Sequence, residues 1–252
     1  IANEYLKTKN SSWDYYIDST QSFNDLSLEK IERFIQKTEV NLGKKFSDTP
    51  MQILQKYSLA QDDKITFGAY LLFVKDFCVI SGVQAGRFKT PIDIIDSLSL
   101  NTDIVTEIDE LMIFIKKHLM VEYIITGNPQ REQRYDYPIE AIREVVLNMI
   151  VHRDYRDSSD SVIKIFDDKI EFYNPGELYD DQTIEELNSN QYKSKTRNKL
   201  IALMFKECGL IEKYGSGITR IKQYCAEHGI QSPRFESHCK GFKVTLYKGP
   251  TQ

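Results

Sequence analysis

The chain has 252 residues, 41% of them hydrophobic and 28% charged, with a formal net charge of −4. That composition excludes intrinsic disorder, and the size admits one large domain or two of roughly 100–150 residues each. No run approaches the ~20 consecutive apolar residues of a membrane-spanning helix, and no charged leader with an apolar core opens the chain. Cys78, Cys208, Cys225 and Cys239 are scattered, with no CxxC pair and only 4 histidines, so a zinc site is disfavoured and reduced thiols in a cytoplasmic protein are expected. Residues 1–127 carry 14 Lys/Arg against 18 Asp/Glu, and residues 128–252 carry 19 against 19. Neither half has the basic excess that phosphate neutralisation usually requires of a nucleic-acid binder. The chain opens on Ile1 rather than Met, which reads as the interior of a longer protein.

In chain order, Leu28 to Ile35 has helical spacing with Ser27 as N-cap, and Pro50 to Leu54 starts a short helix with Pro50 in its first turn. Phe67 to Val74 is an apolar run that periodicity cannot assign, and Phe77-Cys78-Val79-Ile80 reads as a buried strand. An amphipathic helix is predicted over 104–119 and a strand over 121–125. The polar, turn-prone segment 127–134 is the clearest boundary, dividing the chain into 1–127 and 128–252. Beyond it, Pro138 to His152 is a helix with Ile142, Val145, Val146 and Met149 as an apolar stripe. Val162–Phe166 and Lys169–Tyr173, joined by Asp167-Asp168, make a β-hairpin that ends in a turn at Asn174-Pro175-Gly176. A polar stretch without period covers 177–197; helices at Leu200–Phe205 and Gly217–Tyr224 and a closing strand at Phe242–Tyr247 complete the pattern. The order implies an α/β (α+β) architecture, a mixed first domain followed by a two-layer sandwich.

The helix at 138–152 also carries Glu140, Glu144, Asn148 and His152 at four-residue spacing, a polar stripe opposite the apolar one. On pattern alone this is a surface helix. The functional alternative is a metal–nucleotide site, in which the Asn148 oxygen contributes one of the few protein ligands Mg²⁺ takes and Glu144 orients or deprotonates a water. Gly215 and Gly217 stand just before an amphipathic helix, where backbone amides can approach an anion; a simple loop cap is the plainer reading. Lys193, Lys195, Arg197 and Lys199 alternate within the polar stretch, either as a solvated face or as a lid that touches phosphate. No GxxxxGK[ST] sequence exists, so a P-loop motor is disfavoured. His152-Arg153-Asp154 looks like a protein-kinase motif, but the required Asn is Ser159 and no DFG follows.

Four ordered blocks, PIEAIREVVLNMIVHRDY, IKIFDDKIEFYNPGEL, TRNKLIALMFKECGLIEKYGSGITRI and GFKVTLY, resemble the C-terminal domain of the RecG-like proteins, which are labelled ATP-dependent DNA helicases or transcriptional regulators. That domain is similar to the GHKL ATPases, the group of gyrase B, Hsp90 and the histidine kinases, and the resemblance covers about 138–248. In the family it follows a Schlafen/AlbA-like DNA-binding domain, whose latter half Phe67–Asp76 and the helix at 104–119 resemble; the acidic strand and glycine-rich turn that open that domain are not in this sequence. The resemblance implies Glu144 as general base, Asn148 as Mg²⁺ ligand, and His152 and Asp154 at the end of the same helix. It also implies Asn174 and Gly176 at the adenine-reading loop, Lys195 and Arg197 in the lid, Gly215 and Gly217 near the phosphates, and Thr245 behind the adenine. The loop departs from the family where Asn174 stands for an Asp and Glu177 for a glycine, and an uncharged amide is the weaker acceptor.

The resemblance therefore implies an ATP- and Mg²⁺-binding, DNA-associated regulator with weak or no hydrolysis and no motor activity. The alternative is a degenerate, non-catalytic module used for dimerisation, as a homodimer, or for other contacts. A Schlafen-type nuclease ranks third, since its acidic residues would belong to the absent opening part. No membrane partner is expected.

Overall fold

In a computed structural model, residues 12–124, 132–189, 195–212 and 215–249 are described. The first part holds a small antiparallel sheet, β1 (Ile17–Ser22), β2 (Ala60–Gln61) and β3 (Lys64–Thr66), in the order β1-β3-β2. Around it lie α1 (Leu28–Leu42), α2 (Pro50–Lys56) and α3 (Phe67–Phe73). Ser27 caps α1 by accepting from the Lys30 amide, and Thr49 and Gln52 form a capping box on α2, whose first residue is Pro50. The apolar run at 67–74 becomes a helix because six of its seven residues are buried on all sides, with Thr66 as cap.

The expected strand at 77–80 is not formed. Phe77 is 62% and Val79 74% exposed, while Cys78 is buried and Ile80 partly so, with the Cys78 amide bonded to the Asn101 carbonyl. The strand starts later, as β4 (Val83–Phe88), which turns back into β5 (Ile94–Leu100). Next come α4 (Ile104–His118), capped by Asp103, and a two-stranded ribbon of β6 (Val121–Ile124) and β7 (Glu132–Tyr135). The predicted boundary at 127/128 lies outside the described residues.

After α5 (Ile139–His152) come the hairpin β8 (Ser161–Ile165) and β9 (Lys169–Pro175), then α6 (Ile184–Asn188), α7 (Lys199–Glu207), α8 (Gly217–His228), β10 (Arg234–His238) and β11 (Gly241–Tyr247). The stretch 177–197, read as having no period, contains α6, which is started by a capping box between Thr183 and Glu186. Strand β9 runs on through Asn174 and Pro175, so the turn falls at Gly176, whose φ of 96° suits glycine.

The main sheet has six strands in the order β10-β11-β9-β8-β4-β5. All its pairs are antiparallel except β4 with β8, where Val83 stands beside Ser161 and Arg87 beside Ile165. The sheet thus draws strands from both sides of residue 127. Alternation along β8, β9 and β11 buries Ile163, Ile165, Ile170, Phe172, Val244 and Leu246 on one face. Against that face pack α4, on β4, and α5, on β9, while α7 and α8 pack on α5, which completes a mixed α+β fold with a single connected core.

Polar contacts join the two parts as well. Buried Asp14, in a 3-10 turn at Trp13–Tyr15, accepts from the Ile201 amide at 2.9 Å, and Ser12 Oγ accepts from the Lys199 amide at 2.9 Å. The N-terminal turn therefore caps α7 from 187 residues away in sequence. Arg153, 2% exposed, donates to the Gly82 carbonyl before β4 and to the Ser159 carbonyl before β8. All four cysteines are free thiols.

Candidate functional site

A cavity of about 670 Å³ lies between the sheet and the helices α5, α7 and α8. Its floor is Phe172, Asn174, Phe242 and Val244, which β9 and β11 bring side by side: Asn174 pairs with Phe242 and Phe172 with Val244. Its rear wall is the polar stripe of α5, with Glu144, Asn148 and His152 each one turn after the last. A mostly apolar slot with a few converging polar groups is the usual form of a small-molecule site.

Glu144 and Asn148 meet the start of α8. The Asn148 Nδ2 donates to the Glu144 carbonyl at 2.8 Å and reaches Glu144 Oε1 at 3.4 Å. With the NH₂ end held on its own helix, Oδ1 is the end left for a cation or donor. A Cβ added to Gly217 would come within 2.6 Å of Glu144 Oε1 and 2.9 Å of Asn148 Nδ2, so glycine is what lets the α8 backbone sit against this pair. Gly215, at φ 63°, shapes the approach to it. Arg220, one turn into α8, ion-pairs with Glu144 Oε2 at 2.9 Å and also with Glu212.

At the other end, His152 is held neutral: burial, then the nearby Arg197 charge, push its pKa down to about 4. Asn174 Oδ1 accepts from Ser161 Oγ at 2.8 Å, with both residues buried. Gly176 lines the cavity, and Asp154 lies behind it. Burial raises the Asp154 pKa, but its bonds to Arg156 and the charge of Arg197 outweigh this and hold it below the usual carboxylate range.

Of the residues singled out from sequence, Glu144, Asn148, His152, Asn174, Gly176, Gly215 and Gly217 all line one cavity. Four others stand outside its lining. Asp154 and Arg197 pair with each other at 3.0 Å, and Arg197 also donates to the carbonyls of His152 and Glu177, tying the end of α5 to the loop after β9. Lys195 pairs with Asp180 at 3.3 Å. Thr245 is buried, and in the β11 alternation its side chain lies on the sheet face opposite Phe242 and Val244. Lys193 lies outside the described residues. Sequence reading passed over Ser161, Arg220, Glu212 and Lys206; all but Ser161 line the cavity, as does Lys199 of the alternating basic run.

The class these features define is an α+β domain with a mostly apolar cavity in which a few polar groups converge. Residues 159–246 match the family model described as "Putative ATP-dependent DNA helicase recG C-terminal", which supports the RecG-like ATPase resemblance over that part of the chain. The matched segment includes Asn174, Gly217 and Arg220, while Glu144 and Asn148 precede it. Among solved structures, the DIP2311 protein from Corynebacterium diphtheriae is similar, with a TM-score of 0.78 and 18% identity over 98% of this chain. At that identity the likeness concerns the fold, and the chain spans about half (49%) of that protein's length. No curated protein sequence matches the chain.

Among the described residues, no group of three His, Cys, Asp or Glu side chains could hold a metal ion by itself. None of their helices is long and apolar enough to cross a membrane.

Proposed function

We propose that the cavity binds a nucleoside triphosphate, ATP with Mg²⁺, and that binding switches the conformation of the chain. The observation that carries this reading is the convergence of Glu144, Asn148 and Gly217 at one end of a cavity of about 670 Å³ floored by Phe172, Phe242 and Val244. Mg²⁺ takes one or two oxygens from protein and the rest from phosphate and water. One amide oxygen, Asn148 Oδ1, beside the Glu144 carboxylate and with no group of three acidic or other metal-binding side chains among the described residues, suits that sharing. The cation would neutralise phosphate charge. The chain's own residues do the rest: Phe172, Phe242 and Val244 take up a flat apolar base, Asn148 and the Gly217 backbone face the phosphates, and Glu144 is placed to orient a water.

Hydrolysis is weak or absent in this reading, because Asn174 and Glu177 replace the Asp and the glycine of the family's adenine-reading loop. The switching element is the segment 177–199, which Arg197 ties to α5 through the carbonyls of Glu177 and His152. A DNA-associated regulatory role rests on the resemblance of the N-terminal part to a Schlafen/AlbA-like domain. Its test is titration with duplex DNA at low and moderate salt, where no binding at low salt removes it from this chain.

A second reading, a non-catalytic module working as a homodimer or partner surface, is favoured by one observation. The Asn174 oxygen already accepts from Ser161, which leaves a single lone pair of an uncharged amide for an adenine amino group. Isothermal titration with a non-hydrolysable ATP analogue, with and without Mg²⁺, separates the two. Micromolar, Mg²⁺-dependent binding, worth about 8 kcal/mol, that is lost in Asn148→Ala while the fold is retained, is the outcome expected of the nucleotide site. No binding at millimolar analogue refutes it in favour of the module.

A further inference from the structure

Arg220 is the residue whose setting asks for an explanation. It lines the cavity from α8, three residues after the glycine that abuts Glu144 and Asn148. Its side chain is 17% exposed and shared between two carboxylates of unlike kind. Glu144 is 13% exposed and part of the α5 wall, whereas Glu212 is 70% exposed and stands in the loop before α8. Two carboxylates on one guanidinium leave a net negative charge at the end of the slot where phosphate would arrive. Among the described residues, the cavity's other cations, Lys199 and Lys206, come from α7 rather than from the α5–α8 pair that carries Glu144, Asn148 and Gly217.

We infer that Arg220 is the phosphate-binding cation of this cavity, and that in the ligand-free chain it masks Glu144. The inference rests on the nucleotide reading above and deepens it. A guanidinium presents parallel N–H donors that fit a phosphate as well as a carboxylate, and a multiply charged phosphate outcompetes a single carboxylate for them. Its pair with exposed Glu212 is worth little in water, so that arm exchanges readily. When the arm on Glu144 transfers to phosphate as well, the carboxylate is released beside Asn148 Oδ1, where a water bound near the phosphates would need its acceptor. Phosphate binding and unmasking of Glu144 are then one movement of one side chain. Nucleosides, having no phosphate, would occupy the slot without it.

The test compares the intact chain with Arg220→Ala and Glu212→Gln in titrations with adenosine and with a non-hydrolysable ATP analogue plus Mg²⁺. Arg220→Ala should weaken the triphosphate analogue by at least ~10-fold, the scale of a lost charge-assisted contact, and change adenosine affinity by less than about two-fold. Glu212→Gln should tighten the triphosphate analogue by roughly two- to five-fold, a gain that misfolding cannot produce, and leave adenosine unchanged. Equal losses for both ligands in Arg220→Ala, or no gain in Glu212→Gln, overturn the role of Arg220 alone. Failure of the intact chain to bind either ligand overturns the nucleotide reading, and this assignment with it.

Discussion

Replacing Asp14 by Asn tests how the N-terminal turn is fastened to the helix that walls the cavity. Asp14 is fully buried, and burial is the largest influence on its carboxyl, raising the pKa from 3.8 to about 6 against the lowering effect of its bonds to Ser12 and to the Ile201 and Leu200 amides. The folded state thus binds the proton more tightly than the unfolded chain. The stability this confers is complete below about pH 4 and is lost as pH rises to about 6. A rise of that size corresponds to at most about 3 kcal/mol. Asn keeps the shape and one acceptor but never ionises, so the stability of Asp14→Asn relative to the native chain should improve by up to that amount between pH 4 and pH 7. Asp14→Ala removes the cap at every pH, costing about 1–2 kcal/mol for the cap alone. Urea unfolding followed by fluorescence is well placed to report this, because the single tryptophan, Trp13, adjoins Asp14 and stacks on Phe67 at 4.3 Å. A difference between the Asp14→Asn variant and the native chain that stays constant from pH 4 to 7 refutes the reasoning.

Glu107 offers a second pH test: burial, opposed by the Ser81 hydroxyl and the Arg153 charge, lifts its pKa to about 7, so stability should fall as pH rises from about 4.5 to 7. Glu107→Gln should flatten that slope in denaturation midpoints, and an unchanged slope would count against it. Gly176→Ala should destabilise by about 2–3 kcal/mol, since φ is 96° and the new Cβ would lie 2.8 Å from Asp154 Cβ, itself fixed by Arg197; a shift under about 0.5 kcal/mol in urea unfolding would show that the loop yields freely.

The part of the site that rests on local repetition was legible from sequence. Glu144, Asn148 and His152 recur at one helical turn, and the glycines at 215 and 217 precede the apolar spacing of α8, so both walls could be drawn before any fold was known. Ser161 was legible in principle: once the hairpin turn is set at Asp167-Asp168, Val162 stands opposite Tyr173, and the next pair out is Ser161 with Asn174. Arg220 carried no such signal, because its meaning depends on two carboxylates from elsewhere in the chain. Strands β4 and β5 were missed for a related reason. The parallel partner of β4 is β8, some 78 residues on, and no turn announces such a pairing, while the short turn at 89–93 that joins β4 to β5 was passed over. The false strand at 77–80 shows the converse error, an apolar run whose alternate residues, Phe77 and Val79, face solvent.

These contacts also decide which side of the cavity can move. Shifting α7 would break the bonds from its Ile201 and Lys199 amides to Asp14 and Ser12, and would disturb Gly68, where an added Cβ would meet Leu200 at 2.9 Å. Losing two buried hydrogen bonds with their partners left unsatisfied costs on the order of 2–6 kcal/mol. A ligand of micromolar affinity has about 8 kcal/mol in all, and only the part that differs between two states can drive a change. The opposite side is held partly by exposed pairs: Arg220 is shared between exposed Glu212 and the mostly buried Glu144, and Lys195 holds Asp180 at the surface. A ligand-linked rearrangement should therefore centre on the start of α8 and the segment after β9, with α7, pinned by the N-terminal turn, as the fixed wall. Hydrogen exchange with and without nucleotide checks this: ligand-dependent protection should appear in amides of 177–189 and 215–221, and protection changes concentrated in 199–207 would reverse the assignment of fixed and moving walls.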